Sequence, residues 1–175
     1  MAIIAKDTGS GKDFTPAPGG VHAAVCCDVV DLGVLEVNYK GKTKKQHKIR
    51  IVWQIEPTME DGKPFIVQKR YTLSLFEKAA LRSDLESWRS RPFTQEELNG
   101  FDVETVIGAP ALLNVVPEMK DGKVYANVKS IMRLPNNFIK LQPRDYVRVC
   151  DRDPAQHAEE MPPVGEGITD DDVPF

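Results

Sequence analysis

Cysteines, long apolar runs and catalytic signatures are all scarce in this 175-residue chain, and each shortage removes a class of explanation. Cys26, Cys27 and Cys150 make no C-x-x-C pair and stand at no zinc-ligand spacing from His22, His47 or His157. Neither a disulfide framework nor a metal-built fold is expected, and a reduced, cytoplasmic protein without cofactor or metal is. The start offers only Ile3-Ile4 as a bulky apolar pair before Lys6 and Asp7, and no run reaches the ~20 apolar residues of a membrane helix. Neither a signal peptide nor a membrane partner is therefore expected. Gly9-Ser10-Gly11-Lys12 lacks the flanking residues of a phosphate loop, with Lys6 where a glycine and Asp13 where a Ser or Thr must stand. Asp28, Asp31 and Asp61 have no two-metal spacing, and His22 and Cys26 are four apart in a strand, so no catalytic residue is assigned and no enzyme activity is expected.

Charge is present and unevenly placed. From Asp151 onward eight acidic residues face one basic residue, Arg152, a net charge of −7 within a chain total of −3, which leaves +4 for residues 1–150. A basic body with an acidic tail suits a protein that binds a polyanion with one part and protein partners with the other.

The length fits one domain with appendages. Residues 1–20, rich in Gly, Pro, Thr and Asp, read as an irregular arm. From Val21 the pattern has period two, with Val21, Ala23, Val25, Cys27 and Val29 on one face, and it resumes after Gly33 as Val34, Leu35, Val37 and Tyr39. A long strand bent at a glycine suits a small barrel. His47 to Glu56 alternates Ile49, Ile51, Trp53 and Ile55 with Lys48, Arg50, Val52 and Gln54, predicting an apolar inside and a basic outside. Phe65 to Leu75 forms a third strand in which Lys69 shares the phase of Tyr71.

Ser74 and Glu77 have capping-box spacing, and Leu81, Leu85 and Trp88 follow at helical spacing, predicting a helix from Glu77 to about Arg89 that stops before Pro92. Thr94 and Glu97 repeat the signal for a short second helix, and Val103 to Ile107 adds a turn. Ala111–Val116 and Lys123–Arg133 are two further strands, joined by a hairpin turn at Lys120-Asp121-Gly122-Lys123. Residues 136–150 read as an irregular extension and 151–175 as an acidic, disordered tail. Three strands, a helix and two strands is the element order of an OB-fold, a five-stranded Greek-key barrel, here over residues 21–135; another small α+β barrel or roll has the same string.

An OB-fold binds its ligand on strands two and three and on the loops joining strands one to two and four to five. Those positions hold Tyr39, Lys40, Lys42, Lys44 and Lys45, then Lys48 and Arg50, then Lys69, Arg70 and Tyr71, and finally Lys120, Lys123, Tyr125 and Lys129. Lysine and arginine neutralise phosphates, and exposed rings stack on bases of any identity, so these residues are the candidate contacts for single-stranded DNA. Trp53 and Trp88 fall in apolar phase and are assigned to the core.

The chain ends Asp170-Asp171-Asp172-Val173-Pro174-Phe175, which places a ring and an α-carboxylate on one residue behind a triple carboxylate. That combination suits an apolar pocket rimmed by Arg or Lys. The ending resembles the C-terminal tip of bacterial and phage single-stranded DNA-binding proteins, and the resemblance implies docking of replication, recombination and repair enzymes. The body resembles a family of tailed-phage proteins placed near DNA-replication functions. It does so through Lys69-Arg70-Tyr71-Thr72-Leu73-Ser74-Leu75, Asp84-Leu85-Glu86-Ser87-Trp88-Arg89, Pro92-Phe93-Thr94, Asp28 to Gly33, and Leu113-Asn114-Val115-Val116. Together these imply a phage-type single-stranded DNA-binding protein acting in the host cytoplasm. The longer Gly/Gln/Pro-rich linker of bacterial homologues and their opening strand are missing, so their tetramer is not carried over, and monomer and homodimer stay open. A rival expectation is an adaptor that captures host enzymes through an imitation tip without binding DNA. Another is an accessory subunit of a nuclease or recombinase.

Overall fold

The computed structural model describes residues 15–152. The expectations for residues 1–14 and for the tail from 153, including the tip Asp170 to Phe175, lie outside the described residues. The fold is mainly β, with strands β1 (Gly20–Tyr39), β2 (Lys42–Thr58), β3 (Pro64–Thr72), β4 (Pro110–Lys120) and β5 (Lys123–Met132). They form one antiparallel sheet in the order β3-β2-β1-β4-β5. β5 also comes against β3, and helix α1 (Ala80–Arg89), which lies between β3 and β4 in the chain, packs on both.

Two tight turns shape the sheet. Lys40 and Gly41 at the β1–β2 turn both have positive φ (47° and 75°), as do Asp121 and Gly122 at the β4–β5 turn (52° and 74°). This is the two-residue hairpin geometry whose twist matches the flanking strands, and glycine takes its second position without strain. The second turn is where the sequence predicts it.

The apolar row Ile49, Ile51, Trp53 and Ile55 of β2 enters the core as its alternation predicts. Leu81, Leu85 and Trp88 of α1 meet it, with the rings of Trp53 and Trp88 tilted at 55° and 5.9 Å apart. Trp88 Nε1 donates to Pro110 O at 2.8 Å, which satisfies the one polar atom of a buried ring. The helix begins at Ala80 rather than Glu77, because Ser74 Oγ accepts the nearer N–H of Phe76 and no side chain caps α1. In α2 (Gln95–Asn99) the predicted capping box forms, with Glu97 N–H on Thr94 Oγ1 and Thr94 N–H on Glu97 Oε2.

In β1 the expected phase fails. Residues 23–29 are all buried, so both faces are covered and the apolar pattern carries no direction. Cys26 pairs with Trp53 and Asp28 with Val52, leaving Cys27 as an extra residue that resets the alternation. Ala24, Cys26 and Val29 therefore face the main core, while Ala23 joins Leu112 and Leu134 in a separate cluster. A second slip falls between Asp31 and Gly33, where the glycine interruption predicts a bend.

The extension after β5 has no regular structure beyond a short 3₁₀ turn at Val149–Asp151, yet it is fastened down. Arg144 exchanges two hydrogen bonds with the Gln54 side chain, its N–H to Oε1 at 2.8 Å and its O from Nε2 at 2.7 Å. Beyond it, Asp28 accepts from Tyr146 Oη, Arg148 Nε and the Val149 N–H. Residues 144–152 thus form a strap across one end of the β1–β2 face.

Candidate functional site

β2 pairs with β1 without a slip of its own from Lys42 to Ile55, so side chains two apart share a face. The face opposite the isoleucines carries Lys42, Lys44, Gln46, Lys48, Arg50, Val52 and Gln54 in one row. Across the sheet Arg70 of β3 pairs with Arg50, and Thr72 with Lys48, while Tyr39 of β1 pairs with Lys42. Of the sequence-predicted contacts, Tyr39, Lys42, Lys44, Lys48, Arg50 and Arg70 therefore come together on one outward face.

The strap closes one end of that row. Arg50 is only 3% exposed and lies near Tyr146 and Arg152 at the strap's edge, and burial, then the neighbouring Arg70, holds its guanidinium below the usual arginine range. Lys48 is also buried and donates from Nζ to Thr72 Oγ1 at 2.7 Å. The expectation of a basic outside on β2 is thus corrected for Lys48 and Arg50, both buried, with Arg50 beside the folded-back extension, whereas Lys42 and Lys44 are exposed. Nε of Arg70 is buried without a hydrogen-bond partner among the described residues.

Tyr71 is not a stacking platform in this structure. It is fully buried in the core, and its Oη donates to Asp84 Oδ2 at 2.7 Å. Lys69 shares its inward phase and donates to the same Asp84 oxygen at 2.8 Å. Both belong to the contact between β3 and α1, because position 70, not 69 or 71, carries the outward phase. Lys45 pairs with Glu36 on the opposite side of the β1–β2 ribbon from Lys44. Lys40 sits in the turn with its Nζ 5.4 Å from the centre of the Tyr39 ring.

The second loop is separate from this row. Gly20 of β1 pairs with Val115, so β4 runs on past the start of β1 to Lys120, whereas the β1–β2 turn lies beyond its end. Lys120 and Lys123 face each other beside the β4–β5 turn, with Tyr125 paired to Glu118. Lys129 is the extra residue of a slip in β5 and forms an ion pair with Glu118, which lowers that carboxyl below the usual glutamate range. The two hairpins thus bracket the sheet from opposite ends.

Sequence reasoning missed Arg144, Tyr146, Arg148 and Arg152. They lie in a stretch without strand or helix periodicity, and no local signal in the sequence marks them. Arg152 lies over the Tyr146 ring at 5.0 Å, and Arg148 joins Asp28 to Glu104. Burial pushes the Tyr146 hydroxyl up from its ordinary range. Among the described residues no group of three or more His, Cys, Asp or Glu side chains is placed to hold a metal, and no helix is long and apolar enough to cross a membrane. Compared with protein-family models and with curated proteins, the chain matches none.

Proposed function

We propose that this protein binds single-stranded DNA without strong sequence preference, with β2 and the β1–β2 hairpin as the main contact, and that its C-terminal tip docks partner enzymes. The observation that carries the reading is the exposed pair Lys42 and Lys44, continued along the same face by the buried Lys48 and Arg50, with Arg70 and Tyr39 on either side. Phosphates need cations at repeated spacing, and bases need a ring or apolar surface beside them. The fold reading is an OB-fold: the strand order β3-β2-β1-β4-β5, the approach of β5 to β3, and a helix between β3 and β4 all support it. The setting that the resemblance suggests is phage DNA replication or recombination in the bacterial cytoplasm.

The test is titration of labelled oligo-dT and an equal-length duplex with the full chain at two salt concentrations. Tight, salt-sensitive binding to the single strand with little to the duplex is the expected result. Binding to neither overturns the reading and favours the second one, an adaptor that works through Phe175 alone. The burial of Lys48 and Arg50 is the observation on that side. Loss of partner capture on removing Phe175, in a protein that ignores oligonucleotides, would establish it.

A further inference from the structure

We propose that the bases of the bound strand lie on Leu35, Val37 and Tyr39 of β1 while its phosphates follow Lys42 and Lys44 of β2. The proposal rests on the nucleic-acid reading and adds to it the residues that touch bases.

The register carries the argument. Leu35 pairs with Gln46, Val37 with Lys44 and Tyr39 with Lys42, and directly paired residues point to the same side of a ribbon. One side therefore holds an apolar row and a cationic row next to each other. The reverse side holds Val34 with His47, Glu36 with Lys45 and Asn38 with Thr43, a mixture with no such order.

Among the described residues this ribbon has no paired strand beside it beyond Gly33, since β4 pairs only with Gly20–Val25 of β1 and the ladder of β3 with β2 ends at Lys48, with one further bond from the Leu73 N–H to His47 O. An isolated two-stranded ribbon is marginal in water, and Leu35 keeps 39% of its surface exposed there. Lysines on alternate residues repeat at ~7 Å, a spacing that an extended polyanion can follow. A single-stranded nucleic acid presents phosphates along one edge and apolar base faces along the other, which matches the two rows together. A duplex keeps its base faces inside the stack, so the apolar row selects for unpaired strands.

The test uses the full chain carrying Leu35→Thr and Val37→Thr, since threonine keeps the preference for strand. Affinity is measured for oligo-dT and for a sugar–phosphate oligomer of equal length without bases. The expected result is about a tenfold loss on oligo-dT, less than about twofold on the abasic oligomer, and no change on either for Val34→Thr from the reverse side. Tyr39→Thr repeats the measurement if the double variant melts early. Equal losses on both oligomers, an equal effect of Val34→Thr, or loss of a self-associated form in place of base dependence would overturn the proposal. Wild-type protein that binds neither oligomer overturns the nucleic-acid reading with it. Wild-type binding that the substitutions leave intact overturns only the base row.

Discussion

Asp28 and Arg148 stand 120 positions apart in the chain and meet at 3.1 Å, the carboxylate almost wholly buried and the guanidinium still in touch with water. Removing the arginine leaves a buried charge with two of its three donors. Arg148→Met should therefore destabilise the fold by about 2–4 kcal/mol, whereas Glu104→Gln, at the exposed end of the same arginine, should cost less than ~0.5 kcal/mol. Urea denaturation of the full chain with each substitution checks the contrast.

Tyr71→Phe separates a core role from a binding role. The lost hydrogen bond to Asp84 should lower stability by about 1 kcal/mol, and oligo-dT affinity should not change. A drop in affinity at unchanged stability would return Tyr71 to the binding face.

Lys44→Ala and Lys45→Ala are neighbours in sequence and opposites in direction. Loss of one phosphate contact should reduce the salt dependence of single-strand binding by about 0.7 in log–log slope. That reduction is expected for Lys44→Ala and not for Lys45→Ala, as read by fluorescence titration across salt concentrations.

The cysteines differ in chemistry because they differ in burial. Burial pushes the Cys26 thiol up to about 12 and the Cys27 thiol higher still, so both stay protonated and unreactive in the folded state at mildly alkaline pH. Cys150 is exposed. A thiol-specific chromophoric reagent should titrate one group in native protein and three after denaturation.

The strap fixes where the tail can be removed. A chain ending at Cys150 is cut through the Val149–Asp151 turn, whereas a chain ending at Arg152 keeps the turn and loses seven of the tail's eight carboxylates. If the acidic segment competes with DNA for the cationic row, the shortened chain binds oligo-dT more tightly, most clearly at low salt. Equal affinity at all salt concentrations would dismiss the competition and leave the binding site as described.

Much of the sheet is legible in the sequence because β2 marks its two faces by residue type even where both are covered, from Lys48 to Ile55, and because the β4–β5 turn is explicit. Ile49, Ile51, Trp53 and Ile55 announce their direction by alternating with polar residues, and Asp121-Gly122 announces its turn. β1 misleads where it is buried on both faces, since an apolar residue on either side satisfies its surroundings there. The strap is hidden for a different reason: its bonds run to Asp28, Gln54 and Gly62, and contacts at that separation leave no local periodicity. The candidate site is half legible. The lysines of the first hairpin are visible by composition, but which of them point together depends on the pairing of β1 with β2.

Strict alternation along β1 would send the Asp28 carboxylate to the same side as Cys26, beside Trp53. The extra link at Cys27 turns it outward instead. One residue more than the neighbouring strand requires thus decides whether the chain's last described stretch has anything to fasten to, and the stability of the strap is set by a miscount in a strand that it joins only from afar.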